Sequence, residues 1–273
     1  MPTLFSLIQL WLSLGAVVMI FPLVIVLLTA FTTADAVRLL SPADWLDGHH
    51  WSWEYLMIAW RQGHFLLAFG NSTLVAISVT LLQILTSTLA GYALARLKFW
   101  GRQTVLLILL ATLVIPFQLL VIPIFLILKA GHLINTYAAL ILPTAASGFG
   151  IFLLKQFFET IPIELEEAAA LDGATRLQIL IRVILPLARP AVVTLFLFTF
   201  IGEWNDLFKP LVFTTRPELR TVQLALAEFQ EQFTNRWSLL MAAVVIATLP
   251  IVLLFVVCQR QFVQGIANTG LKR

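Results

Sequence analysis

Residues 62–95 read QGHFLLAFGNSTLVAISVTLLQILTSTLAGYALA, without one Asp, Glu, Lys or Arg. A hydrocarbon core takes roughly 20 apolar residues per helical crossing, so this run is long enough to cross a membrane. Working outward, further charge-free runs occupy 1–34, 103–128, 130–154 and 237–259. Inside lipid every backbone polar group must be satisfied within the protein, which at these lengths favours helices over strands. Composition agrees with that reading. Of 273 residues, 60% are hydrophobic and 11% charged, with mean hydropathy +0.96. A soluble domain of ordinary composition carries about a quarter charged residues.

Six spans follow: 10–31, 72–95, 104–128, 137–157, 191–213 and 237–258. The fifth is the least clean, because Glu203, Asp206 and Lys209 fall inside its outer half. Pro22, Pro116, Pro123, Pro143 and Pro250 lie within spans, where each removes a backbone donor and favours a bend. No Lys or Arg precedes the first apolar run, which is about twice as long as a secretory signal's core, so an uncleaved first span is expected. Cys258 is the single cysteine, which excludes an intrachain disulfide and a thiolate metal cluster.

Lys and Arg in short loops set orientation. One set of connections holds ten of them: Arg96, Lys98, Arg102, Lys155, Arg176, Arg182, Arg189, Arg260, Lys272 and Arg273. Five acidic residues accompany them, whereas the opposite set carries seven basic residues against nine carboxylates. The first side is read as cytoplasmic, which puts both termini there. The net charge of +3 therefore reflects topology. Nucleic acid is excluded as a partner, because no basic patch is interleaved with exposed aromatics on a soluble face. The external segment 32–70 holds Trp45, Trp51, Trp53 and Trp60 with His49, His50 and His64. Tryptophan prefers the membrane interface, so an interfacial helix is expected there. The adjacent histidines lack the third ligand that a metal site requires.

The functional signal lies between the fourth and fifth spans, in Pro162-Ile163-Glu164-Leu165-Glu166-Glu167-Ala168-Ala169-Ala170-Leu171-Asp172-Gly173. Pro162 suits a first helical turn, and the three glutamates favour the positive end of a helix dipole. The alanines carry high helix propensity, and Gly173 is placed to end the helix in a left-handed conformation. A second short helix is expected over 174–184, stopped by Pro186, with Ile179, Val183 and Leu187 on one face. Glu167-Ala168-Ala169, then Gly173, then Leu185-Pro186 resembles the EAA loop of ABC importer permeases. Val183 stands where that motif has Ile.

Asn71-Ser72-Thr73, Ile115-Pro116, Asn135-Thr136-Tyr137, Trp204-Asn205-Asp206 and the ending over 259–265 extend the resemblance to maltose-type carbohydrate permeases from Asn71 onward. The resemblance implies an all-α membrane protein of about six transmembrane helices, with a cytoplasmic coupling helix between the fourth and fifth. It implies one transmembrane domain over 1–273, with its core at 66–260 and the EAA loop at 158–190. The setting would be the bacterial cytoplasmic membrane, with lipid around the spans. The implied partners are a second permease subunit, giving a heterodimer, two cytoplasmic ATPase subunits and an external solute-binding protein. Glu166, Glu167, Ala168, Ala169, Asp172 and Gly173 would dock to an ATPase. No Walker-A loop is present, so this chain cannot itself cradle and hydrolyse ATP; no cofactor is expected on it, and the resemblance implies that the partner ATPases use ATP and Mg. No catalytic set is visible, and an enzyme is not expected.

Two further candidate regions stand beside that loop. Glu203, Asn205 and Asp206 share nearly one helix face, with Lys209 three residues on. They line a translocation path, or form a structural ion pair that packs two permease subunits together. Leu224, Phe229 and Gln230, in the external segment 216–237, are candidates for contact with the binding protein, against a plain solvated connection. Two other functions stay open at this point. One is an ABC importer for a non-sugar solute such as a polyamine, which shares the EAA loop. The other is an ion-coupled secondary transporter, which usually places ionisable groups deep within several spans.

Overall fold

The computed structural model describes residues 2–32, 51–233 and 236–270, with side chains described for 8–32, 51–233 and 236–259. Trp45, His49, His50 and the charges at Asp35, Arg38, Asp44, Asp47, Lys272 and Arg273 lie outside the described residues, as do the side chains of 260–265. The first half holds α1 (Pro2–Ala30), α2 (Glu54–Gln62), α3 (Phe65–Arg96), α4 (Arg102–Thr112), α5 (Phe117–Ala130), α6 (Tyr137–Ile141) and α7 (Gly148–Thr160). There follow α8 (Glu164–Leu171), α9 (Arg176–Leu187), α10 (Arg189–Trp204), α11 (Phe208–Phe213), α12 (Val222–Gln232) and α13 (Trp237–Gly270). Among the described residues the only extended pairing is an isolated bridge between Thr32 and Trp51.

Three stretches are long and apolar enough to cross a membrane unbroken: Ile8–Ala30, Phe65–Arg96 and Trp237–Gln259. Three bent pairs are long and apolar enough only when taken together, α4 with α5 at 100°, α6 and the turn after it with α7 at 44°, and α9 with α10 at 80°. Six spans are present if each pair is one span. Prolines act at two of the five expected places. Pro116 sits in extended backbone between α4 and α5, and Pro143 sits in the tight turn Leu142–Thr144 after α6. Pro22, Pro123 and Pro250 lie inside uninterrupted helices. The fifth span differs from expectation. It does not run to Phe213, because α10 ends at Trp204 and Phe208–Phe213 is a separate short helix.

The chain divides into two compact units, 1–68 with 222–250, and 69–221 with 251–273. In the first, Phe65 is fully buried and packs on Trp60 and Phe229, with ring centroids 6.4 and 6.5 Å apart. Arg236 sits 6.0 Å from the centroid of Tyr55, a cation–π distance. Within the segment where an interfacial helix was expected, α2 forms; it buries Tyr55 and Ala59 and leaves Trp60 and Met57 exposed.

In the second unit, small residues let α3 approach α7. A Cβ on Gly91 would stand 3.1 Å from the Lys155 backbone nitrogen, and one on Gly150 would meet Ser87 Oγ at 2.4 Å. Such close packing holds helices together in lipid, where water exclusion does not act between them. The break between α6 and α7 frees carbonyls that α3 answers. Gln83 Nε2 donates to the Thr144 carbonyl at 2.7 Å, while Gln83 Oε1 accepts from the Thr199 hydroxyl at 2.9 Å. One buried amide thus ties α3, the 142–144 turn and α10. A bent span survives in lipid only with such partners.

Candidate functional site

The segment after α7 builds the first candidate site. Pro162 lies just before α8 rather than in its first turn, and Ile163 takes the cap position. The carbonyl of Ile163 accepts from the backbone N–H groups of Glu166 and Glu167. At the other end Gly173 has φ +82°, as its position in the sequence led us to expect. The Ala174 N–H donates to the Ala169 carbonyl and the Gly173 N–H to the Ala170 carbonyl, both at 3.0 Å. That pair of bonds is a Schellman closure, which satisfies carbonyls the helix end would leave bare. A Cβ at Gly173 would meet nothing within 4 Å, so its constraint is backbone conformation alone.

The six residues of this loop do not share one surface. Glu167, Ala168 and Asp172 are exposed, with Leu171 89% exposed beside them, and Ala169 is partly covered. Glu166 departs from the expected docking set. It is 1% exposed and turned inward, where Tyr92 Oη donates to its Oε2 at 2.9 Å. Arg96 Nε lies 2.6 Å from Glu166 Oε1 as an ion contact, its N–H not aimed along that line. Arg96 also donates to the Ile161 carbonyl. Tyr92 is not among the residues expected to act here, and Arg96 is expected only as an orienting charge. Their only sequence trace is a hydroxyl and a guanidinium four residues apart on the last turn of α3.

The helix expected over 174–184 is α9, which starts at Arg176 and passes through Pro186 to Leu187. Thr175 caps it, its hydroxyl accepting from the Gln178 N–H while the Gln178 side chain accepts from the Thr175 N–H. A wide π turn occupies Leu180–Ile184, with the Leu185 N–H donating to the Leu180 carbonyl. This turn resets the helix face. Ile179, Leu180, Ile184 and Ala188 are buried, against Tyr92, Leu154 and Phe158, while Leu187 is exposed. The expected face of Ile179, Val183 and Leu187 is thus corrected, because a π turn breaks the 3.6-residue period on which it rested.

The second candidate site is the cluster around Lys209. Its Nζ lies 2.5 Å from Glu203 Oε2, 3.2 Å from Asp206 Oδ2 and 2.8 Å from the Thr144 hydroxyl. Lys209 is 2% exposed. Asp206 Oδ1 meanwhile accepts from the backbone N–H groups of Phe208 and Lys209, at 2.8 and 3.2 Å, and so opens α11. The expected single helix face carrying both carboxylates does not form, because the helix stops between them. The space beside Glu203, Asp206 and Lys209 is about 10 Å³, room for one water at most. Asn205 is exposed and does not line that space.

The third set is divided. Gln230 is exposed and Leu224 half-buried, but Phe229 is 2% exposed and packs on Phe65 and Phe233. Phe229 is therefore a packing residue rather than a contact surface. The two asparagine motifs also have structural partners. Asn71 Nδ2 donates to the carbonyls of Glu218 and Arg220 at 2.7 and 2.8 Å, and Tyr137 Oη donates to its Oδ1 at 2.7 Å. Asn135, at φ +62°, accepts through Oδ1 from the Thr215 N–H at 2.6 Å. Among the described residues, no group of three or more His, Cys, Asp or Glu is gathered to hold a metal.

Residues 84–268 match the family described as binding-protein-dependent transport system inner membrane component. The chain is 35% identical, over 93% of its length and 89% of the relative's, to the sulfoquinovosyl glycerol transport system permease protein SmoH of Agrobacterium fabrum. It is 34% identical, over 80% of its length and 78% of the relative's, to the arabinooligosaccharides transport system permease protein AraQ of Halalkalibacterium halodurans. Its fold is similar to a chain in the crystal structure of a bacterial ABC transporter involved in the import of the acidic polysaccharide alginate. The TM-score is 0.82 at 23% identity, covering 95% of this chain and 97% of that one.

Proposed function

Because this chain belongs to the family of inner membrane components of binding-protein-dependent transport systems, we propose that it is a permease subunit of an ABC importer moving a carbohydrate across the bacterial cytoplasmic membrane. Family membership sets aside the ion-coupled carrier, and the family is one of transport rather than enzyme chemistry. The carbohydrate class is supported by relatives named for transport of a sulfosugar glycoside and of arabinooligosaccharides. The partners are a second, non-identical permease subunit, two ATPase subunits that hold ATP and Mg, and an external binding protein. Both termini and α8 are assigned to the cytoplasm, a reading supported by the placement of Lys and Arg.

The observation that carries this reading is the outward face of α8. A short helix closed at Gly173 presents Glu167, Ala168, Leu171 and Asp172 to solvent. A shallow apolar strip edged by carboxylates fits a cleft lined by apolar and basic groups on an ATPase. The Lys209 cluster is read as a structural tie inside this chain rather than a solute site, because its groups answer one another in a space too small for a sugar ring. Asn205, exposed beside it, remains the candidate to face the path. Gln230 and Leu224 are the candidate contacts for the binding protein.

The test is co-purification followed by reconstitution. The chain expressed with its neighbouring subunits retains the ATPases, and proteoliposomes with the cognate binding protein take up a radiolabelled oligosaccharide from a panel. Glu167→Lys leaves the protein inserted and abolishes uptake. Uptake of a polyamine instead of any sugar would replace the carbohydrate reading, and unchanged uptake by Glu167→Lys would remove the docking assignment.

A further inference from the structure

The attachment of α8 to its own unit differs from that of α7, α9 and α10. Those three are held by Leu154, Phe158, Ile179, Ile184 and Leu195, which form one apolar cluster that α8 meets only through the partly buried Ala169. The one buried side chain of α8 is instead a carboxylate, Glu166. Two residues of α3 hold it, Tyr92 through Oε2 and Arg96 through Oε1, and Arg96 reaches the Ile161 carbonyl as well. Tyr92 and Arg96 are one turn apart, on one face of the helix. The last turn of α3 therefore grips both the chain entering α8 and the first turn of α8 itself.

This type of contact matters for movement. Apolar side chains can slide past one another, because burial is non-directional and each atom pair contributes little. A carboxylate at 1% exposure, held from both oxygens, cannot shift without leaving a charge unpaired in a dry site. The geometry points to Tyr92, Arg96 and Glu166 as the joint that makes α8 and span α3 move as one body. These are positioning residues, and the inference rests on the reading that α8 docks to the ATPase. Glu166 then serves transmission from the inner side of α8, while Glu167 and Leu171 meet the ATPase on the outer side.

Spin labels report on the joint without knowledge of the solute. The complex with the second permease and both ATPases carries Lys98→Cys two residues after α3 and Glu164→Cys at the start of α8, with the native cysteine removed by Cys258→Ser. Both labelled positions are exposed. The separation is expected to be narrow, and unchanged between the nucleotide-free complex and the complex trapped with ATP and vanadate. Adding Arg96→Met with Glu166→Gln removes both charges together, so that neither is stranded. That variant should keep its ATPases, yet show a broadened or shifted separation on trapping. Arg96→Lys, which keeps the charge, should restore a narrow one.

A separation that already changes in the parent complex overturns the joint, as does one that stays narrow in the double variant. If the double variant sheds its ATPases while the parent holds them, the pair supports docking and transmits nothing. If the parent complex itself holds no ATPase, the docking reading fails and the joint falls with it.

Discussion

The second unit contains two buried ionic clusters, and they are built in opposite ways. Lys209, Glu203 and Asp206 lie within seven positions of one another in sequence, whereas Arg96 and Glu166 are brought together by folding across α4 to α7. The first cluster closes a local break, where α10 stops and α11 begins, and recruits the 142–144 turn through Thr144. The second joins the end of one membrane span to a short helix outside it. A local cluster stabilises a bend, and its cost is limited because the same backbone supplies further donors. A distant one fixes two elements relative to each other. The difference suggests that the Lys209 cluster is architecture and the Glu166 cluster is a moving part.

Removing the shared cation gives the largest effect. Lys209→Met strands Glu203 and Asp206 and should lower stability by about 3–5 kcal/mol, read as lost yield and melting temperature of the purified complex in detergent. Glu203→Gln in the same chain should recover part of that loss. A double variant no better than the single would defeat the assignment of Glu203 as the principal partner. Glu166→Gln keeps an acceptor for Tyr92 and leaves Arg96 without its counter-ion, but Arg96 is less buried than Lys209 and still donates to the Ile161 carbonyl, so a smaller cost of about 1.5–3 kcal/mol is expected. A cost as large as that of Lys209→Met would erase the distinction drawn between the clusters.

Asp206→Ala comes next, because it leaves Lys209 its closer partner Glu203 and removes the opening of α11 together with the longer 3.2 Å contact to Lys209. The expected loss is about 1 kcal/mol, in the range of a helix cap, and Asp206→Asn should keep most of it. No change in melting temperature for the alanine variant would show that the cap contributes nothing. Gly173→Ala is the mildest in structure, since a Cβ there touches nothing and only the positive φ resists it. About 1 kcal/mol of local strain should loosen the end of α8; faster hydrogen exchange at 168–174 is the readout, and unchanged exchange would contradict it.

Much of this was legible before any coordinates. Long charge-free runs locate spans because lipid forbids unpaired charge and unpaired backbone alike, and α3 and α13 fell where expected. The closure of α8 at Gly173 was legible too, since a left-handed residue after an alanine-rich helix is a local requirement. What the sequence hid was set by contacts at a distance. Glu166 and Glu167 are neighbours with the same side chain, and only the position of Arg96 decides that one is buried and the other free to face outward. The helix break at Asn205 was hidden because Asp206 reads equally well as a face residue and as a cap. The π turn in α9 was hidden because its wider spacing leaves no composition mark. Phe229 was placed on a surface by its surroundings of charge, although its ring is held by Phe65.

Site-specific crosslinking along α8 tests the account most directly. A photoreactive residue is placed in turn at positions 166, 167 and 171 of the chain, within the complete complex in native membranes. Adducts with the ATPase are expected from 167 and 171, with none from 166, whose side chain faces α3. Adducts from 166 equal to those from 167, or none from 167 and 171 in an intact complex, would contradict the division of α8 into an outer docking face and an inner joint.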